Sequence, residues 1–190
     1  MRDQRQILKD SVWIANAIQT ARLSKDENTK IGAIIVGSDG KLISAGYNGG
    51  ARGIPDDHIP HGRDVKELQF YMDGELKSVA SNKQPFMVHA ERNAIDACAR
   101  PEELKGATIY VTAMPCPDCA WNITRHGISR VVVAEQGSVD PGSTIGNNSD
   151  LTMFMFAEGN VDLWIGDRQV GLVSVERFVK HRKKSKRFHG

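Results

Sequence analysis

Cysteine is scarce in this chain, aromatic residues are few, and no hydrophobic run is long. Only Cys98, Cys116 and Cys119 occur among 190 residues, too few and too unevenly spaced for a disulfide framework. Two of them three positions apart point instead to metal or redox chemistry in a reducing compartment. The longest apolar stretches are six residues, as at Ile31 to Val36, whereas crossing a bilayer takes roughly 20. The start Met1-Arg2-Asp3-Gln4-Arg5 offers no apolar signal core. A soluble, cytoplasmic protein without a membrane partner is therefore expected. With 40% hydrophobic and 25% charged residues, the chain has the makings of a packed core, which excludes disorder along its whole length.

The formal charge of +2 hides an asymmetry. From Arg177 onward there are seven Lys or Arg and no acids, leaving 18 basic against 23 acidic residues before it. The body is net acidic and carries no basic patch interleaved with aromatics, so it is ill suited to tracking a polynucleotide. The expected organisation is one domain over 1–176, with an inserted region at about 48–84 and a solvated basic tail over 177–190.

Apolar residues from Gln4 to Ser24 recur near the 3.6-residue period and predict a covering helix. Ile31 to Val36 and Leu42 to Tyr47, joined by Ser38-Asp39-Gly40-Lys41, read as a β-hairpin. The insertion holds seven glycines and prolines and reads as loops, with one short helix around Val65 to Met72. After Pro85 helix and strand alternate. Helices are expected over His89–Arg100 and Cys119–His126, and strands over Ala107–Thr112 and Arg130–Ala134. A loop over Gly137–Asn148, a helix to about Glu158 and a strand over Val161–Ile165 complete the pattern. This alternation predicts a three-layer α/β/α fold around a mixed five-stranded sheet.

The chemistry concentrates in His89-Ala90-Glu91 and, 25 positions after Glu91, in Pro115-Cys116-Pro117-Asp118-Cys119. One imidazole and two thiolates form a permitted catalytic zinc set, which leaves the fourth tetrahedral position for water. Both cysteines fall at a predicted helix start, where Pro117 suits the first helical position and unpaired N–H groups favour thiolate. Glu91 is the natural proton carrier beside such a site. Cys98 reads as a core residue, His58 and His61 as solvated loop histidines rather than a second zinc site, and Trp13, Trp121 and Trp164 as core or interface residues.

His-x-Glu followed by Pro-Cys-x-x-Cys is a recorded signature of zinc-dependent nucleobase deaminases. The chain resembles the cytidine and deoxycytidylate deaminase superfamily, and within it the deoxycytidylate deaminases, including those of bacteriophages. Asn28-Thr29-Lys30-Ile31-Gly32-Ala33-Ile34-Ile35-Val36 resembles the family's first strand and the loop before it. Gly46-Tyr47-Asn48-Gly49 resembles its Gly-Tyr-Asn-Gly turn, with the acidic pair Asp56-Asp57 after it, and Asp118 is typical of the same branch. The resemblance covers about Ser24 to Ala134.

The resemblance implies that His89, Cys116 and Cys119 hold one catalytic Zn2+ and that Glu91 shuttles protons while a cytosine ring loses ammonia. It implies dCMP as substrate, dUMP as product for thymidylate synthesis, and Asn28, Thr29, Lys30, Asn48 and Ala90 as substrate-binding residues. It further implies a homo-oligomer, often a hexamer, with dCTP and dTTP as effectors and Mg2+ accompanying the effector. The competing readings are a base deaminase acting on transfer RNA or single-stranded nucleic acid, and a non-catalytic zinc-binding module.

Overall fold

Alternate residues of the central strands belong to two different cores, and this sets the architecture. Ala33, Ile35, Ile109, Val111, Val131, Val133, Leu163 and Ile165 face one side, and Ile34, Val36, Tyr110 and Val132 face the other. A sheet with both faces buried needs a layer on each side. The computed structural model describes residues 4–60, 62–134, 149–167 and 174–177.

In chain order the elements are α1 (Gln4–Ala21), β1 (Gly32–Val36), β2 (Leu42–Tyr47), β3 (Gly49–Gly50), β4 (Lys66–Met72), β5 (Glu75–Ser81), β6 (Met87–Val88), α2 (Ala90–Asp96), β7 (Thr108–Val111), α3 (Pro117–Arg125), β8 (Arg130–Val133), α4 (Ser149–Glu158), β9 (Asp162–Asp167) and β10 (Ser174–Arg177). The main sheet has the order β2-β1-β7-β8-β9-β10. β7, β8 and β9 run parallel, while β1 is antiparallel to both β2 and β7. The expected five-stranded mixed sheet is thus present, and β10 extends it by one antiparallel edge strand.

On one face α1 inserts Ile14 and Ala17 against Ile34, Tyr110 and Val132, with Trp13 and Trp164 at the margin. The opposite face is covered by α2, α3 and α4, which contribute Ala90, Ala94, Ala120, Ile123 and Phe156. α3 and α4 are the crossovers that parallel neighbours require. Cys98 lies in this core and donates to the carbonyl of Arg100 at 3.1 Å, as expected of a buried residue. Trp121, by contrast, is 55% exposed, with the Arg125 guanidinium 4.9 Å over its ring.

A buried ion pair joins the first helix to the sheet. Asp10 is fully buried; Arg130 donates to its two oxygens at 2.8 and 2.6 Å, Tyr110 Oη donates at 2.9 Å and Gln6 at 3.0 Å. Burial alone would raise the Asp10 pKa, but Arg130 and the other donors hold it below the usual carboxylate range.

The insertion departs from expectation. Lys66–Met72 is a strand, not a helix, and pairs antiparallel with β5 from Lys66↔Ser81 to Met72↔Glu75. Asp73 and Gly74 have φ of 56° and 79°, so both central turn residues adopt the left-handed conformation of a tight hairpin turn, for which Asp-Gly is a favoured pair. Val65, Leu68 and Met72 fall at helical spacing, which a strand does not require. Gly137–Asn148, His61 and the basic tail beyond Arg177 lie outside the described residues. Among the described residues no helix is long and apolar enough to cross a membrane.

Candidate metal centre

The centre forms where two helices begin. His89 is the N-cap of α2 and Cys116 the N-cap of α3, each with extended backbone, and each carbonyl accepts the first bond of its helix, from Asn93 N at 3.0 Å and Ala120 N at 2.8 Å. Pro117 occupies the first turn of α3, where its fixed φ suits a helix and its missing N–H costs nothing. Cys119 lies one turn into α3 and is buried.

Packing fixes where these helix starts sit. β2 passes so close under α2 that a side chain at Gly46 would run into the backbone of Ala90 and Ala94, so the contact needs glycine. Ser44 Oγ donates to the Ala94 carbonyl at 2.7 Å, and Asn93 Nδ2 to the Tyr47 carbonyl at 2.8 Å. The turn before α3 is held from α4, where buried Thr152 donates to the Pro115 carbonyl at 2.9 Å.

His89 Nδ1 lies 3.3 Å from Cys119 Sγ and 3.4 Å from Cys116 Sγ, and one ligand atom from each residue falls within 4.8 Å of the others. Tetrahedral zinc with ordinary Zn–N and Zn–S bonds separates nitrogen from sulfur by about 3.6 Å. Nδ1 is therefore the nitrogen that faces the sulfurs, and the three groups are positioned to bind a metal ion. Three protein ligands leave a tetrahedral site one position short of closure.

The electrostatics suit a dication. The Cys116 pKa is pushed down to about 4 by its hydrogen bond with Cys119 and by His89, against burial, which raises it. His89 is pushed up to about 9, first by Cys116 and also by Glu91 and Asp118, while burial opposes the rise. Next to the Cys116 sulfur, and buried near Glu91, the Cys119 thiol is raised. Glu91, in the first turn of α2 and 4% exposed, is raised by burial despite the attraction of His89. The sequence-selected His89, Glu91, Cys116 and Cys119 are thus brought into one cluster, with buried Ala90 between the first two.

Of the remaining selected residues, Asn28, Thr29 and Lys30 lie on the loop before β1 and Asn48 lies between β2 and β3. Asn28 and Lys30 are exposed and Thr29 is half-buried. The Asn48 carboxamide is engaged within the protein: its oxygen accepts from Ile31 N at 2.8 Å, and its nitrogen donates to the Thr29 carbonyl at 2.8 Å and to Asp26 at 3.4 Å. Asp26 also accepts from the N–H groups of Asn28 and Thr29, at 2.8 and 3.0 Å, and from Lys83 Nζ at 2.7 Å on both oxygens. Burial would raise the Asp26 pKa, but Lys83 and the two backbone donors bring it below the usual range. Asp26, Lys83 and Thr152 escaped the sequence reading. Only Asp26 leaves a local trace, an acid two residues before Asn28 that can bond the following backbone. A cleft of about 200 Å³ is lined by residues including Lys25, Asp26, Tyr47, Arg52, Met87 and Asn93.

Comparison with known proteins agrees with this geometry. Residues 8–135 match the family model of the cytidine and deoxycytidylate deaminase zinc-binding region. The human deoxycytidylate deaminase is 35% identical over 120 residues, which are 63% of this chain and 61% of the relative. The chain thus spans about 61% of the length of that relative and of its Pongo abelii counterpart. The deoxycytidylate deaminase of Mycobacterium phage D29 is 36% identical over 130 residues, covering 67% of this chain and 94% of the phage protein. The crystal structure of the dCMP deaminase of cyanophage S-TIM5 in complex with dCMP and dUMP superposes with a TM-score of 0.55 at 20% identity, over 86% of this chain and 97% of that one, a likeness of fold. Because the match takes in both helix starts and everything between them, the chain belongs to the cytidine and deoxycytidylate deaminase zinc-binding family.

Proposed function

We propose that the chain is a zinc-dependent hydrolase that converts dCMP and water to dUMP and ammonia. The observation that carries this reading is the convergence of His89, Cys116 and Cys119 beside the buried carboxyl of Glu91, in a chain whose curated relatives include deoxycytidylate deaminases. His89 would hold the zinc through Nδ1, and Cys116 and Cys119 through sulfur. The ion supplies Lewis acidity that makes water a nucleophile near neutral pH.

The protein's own contribution is proton traffic and orientation. As the C4–O bond forms, Glu91 takes the proton that water gives up and delivers it to N3 of the ring. It then takes the second proton, from the new hydroxyl on C4, and hands it to the C4 amine as the C–N bond breaks, C4 becomes a carbonyl and ammonia leaves. Burial, which raises the pKa of Glu91, makes the carboxyl a better base on the first step and keeps it able to donate on the second. The backbone of Ala90, between ligand and acid, lines the place where the base would lie. Asn28 and Lys30, both exposed, and Thr29 would meet the 5′-phosphate, with Lys30 supplying fixed charge. Asn48 would serve through the loop it holds.

The same reading carries a cytoplasmic homo-oligomer, a hexamer by resemblance, with dCTP and dTTP as effectors accompanied by Mg2+. It also carries one deaminase domain over 1–176 with a basic tail over 177–190. The test is ammonia release by zinc-loaded protein from dCMP, CMP, deoxycytidine, dCTP and a cytosine- and adenosine-containing polynucleotide. Preferential turnover of dCMP is expected. Turnover of polynucleotide with monophosphates inert would replace the reading by a nucleic-acid base deaminase, and bound zinc with no turnover at all by a non-catalytic module.

A further inference from the structure

Lys83 ties the C-terminal end of the insertion to the loop before β1. Lys83 stands at the C-terminal end of the insertion and is 7% exposed, yet it is an ammonium on a long flexible stem. Its Nζ spans both oxygens of Asp26 at 2.7 Å, its N–H donates to the Gly62 carbonyl at 3.2 Å, and its carbonyl accepts from Phe86 N at 3.0 Å. Asp26 also accepts from Asn28 N and Thr29 N of the loop itself and from Asn48 Nδ2 beyond β2. Asn48 closes the arrangement through Thr29 and Ile31, and Ser24 Oγ donates to the Asn48 carbonyl at 2.7 Å.

The N–H groups of Asn28, Thr29 and Ile31 and the Thr29 carbonyl therefore all bond to one carboxylate or to the amide beside it, while Asp26 N donates to Ser24 Oγ at 3.2 Å and the Ile31 carbonyl accepts from Asn48 N at 3.1 Å. A buried ion pair is an inefficient source of stability, since well-packed apolar residues commonly do as well, but removing one partner strands a charge. The pair's effect is conformational. Asn28 and Lys30 are exposed on a loop whose backbone is bonded to Asp26 and Asn48, and Asp26 shares its cleft with Met87 and Asn93, which flank His89 and Glu91 in the chain.

We infer that Lys83 is a positioning residue for nucleotide binding: through Asp26 it holds the 26–31 loop in the shape that presents Asn28, Thr29 and Lys30 to the 5′-phosphate of the substrate. The inference rests on the nucleotide reading above. It makes an insertion residue a determinant of KM, although it touches neither substrate nor metal. Lys83 acts at a distance from the reacting atoms, so the chemical step should be largely insensitive to it.

The test compares wild-type protein with Lys83→Met and Lys83→Arg, all zinc-loaded, on dCMP and on deoxycytidine, which lacks the phosphate. For Lys83→Met the dCMP KM is expected to rise at least about tenfold with kcat within about threefold, while kcat/KM for deoxycytidine falls by less than about threefold. Lys83→Arg keeps the charge and should give intermediate values; it is the arm to read if Lys83→Met does not fold. Backbone exchange at Asn28 and Thr29, measured without substrate, should quicken in Lys83→Met with zinc content unchanged. An unmoved dCMP KM, an equal loss on both substrates, or retained protection of those two amides overturns the inference. Wild-type protein that ignores dCMP overturns the nucleotide reading and the inference with it, whereas wild-type turnover with an unmoved variant KM overturns the inference alone.

Discussion

Replacing Glu91 by Gln keeps the shape of a side chain that is 4% exposed and removes only its ability to carry a proton. General acid–base catalysis by one group contributes about 10²–10⁴-fold. Here one carboxyl serves both the attack of water and the departure of ammonia, so the upper end applies, a loss of about 10⁴ in kcat or ~5.5 kcal/mol in barrier. Zinc content should not change, because His89, Cys116 and Cys119 keep their places. Stability should move the other way. Burial raises the Glu91 pKa, so the folded chain holds that proton more tightly than the unfolded one. Stability is thus lost as pH rises above the unfolded value of about 4.3. An amide has no charge to desolvate, and chelator-treated Glu91→Gln should resist urea better at neutral pH than chelator-treated wild type. Ammonia release, zinc stoichiometry and urea midpoints read the three effects. A variant within tenfold of wild-type kcat would refute the proton-carrier role, and one destabilised at neutral pH would refute the account of the buried charge.

Other consequences follow from the same geometry. Asp10→Ala strands Arg130 inside the protein and should cost about 3–5 kcal/mol, a fall in Tm of roughly 6–20 °C for a chain of this size, with the catalytic constants of folded protein little changed. Asp10 and Asp26 both have lowered pKa values, so their stabilisation is present above the unfolded carboxylate value of about 4 and disappears as pH falls through the lower folded values. Urea midpoints should drop steeply in that acid window, and less so in Asp10→Asn. With His89 raised to about 9 and the Cys119 thiol raised, metal binding should release two protons between about pH 5 and 9. Zinc affinity would then climb by about a hundredfold per pH unit, which competition with a chelator of known pH dependence measures. Gly46→Val should push α2 off β2 and lower zinc occupancy without any change among the ligands.

How much of this was legible in the chain depends on the distance over which each interaction acts. The metal centre was legible because its parts are local: a histidine two residues before an acid, two cysteines within one turn, and a proline suited to a first turn. The strands Gly32–Val36 and Arg130–Val133 announced themselves as β-branched runs. Lys66–Met72 did not, because Val65, Leu68 and Met72 are spaced for a helix, and the deciding evidence lay just beyond, in Asp73-Gly74 and the matching run Glu75–Ser81. An isolated segment carries no record of the partner that makes it a strand.

The polar interior shows the same principle at longer range. Asp10 meets Arg130 across 120 positions, and Asp26 meets Lys83 across 57. Hydrophobic periodicity detects neither, since it registers apolar faces and treats charged residues as surface. The zinc ligands also lie far apart, 30 positions from His89 to Cys119, but their residue types betray them because few other roles use that set. Lysine and aspartate have many roles, so their partnership becomes visible only when the fold brings them together. If Lys83 sets substrate affinity as inferred, the least legible residue of the site governs which molecule enters it, while the most legible ones govern what happens to that molecule. Variation in the insertion would then alter KM and leave the chemical step intact, a separation that the KM and kcat of the Lys83 and Glu91 variants measure side by side.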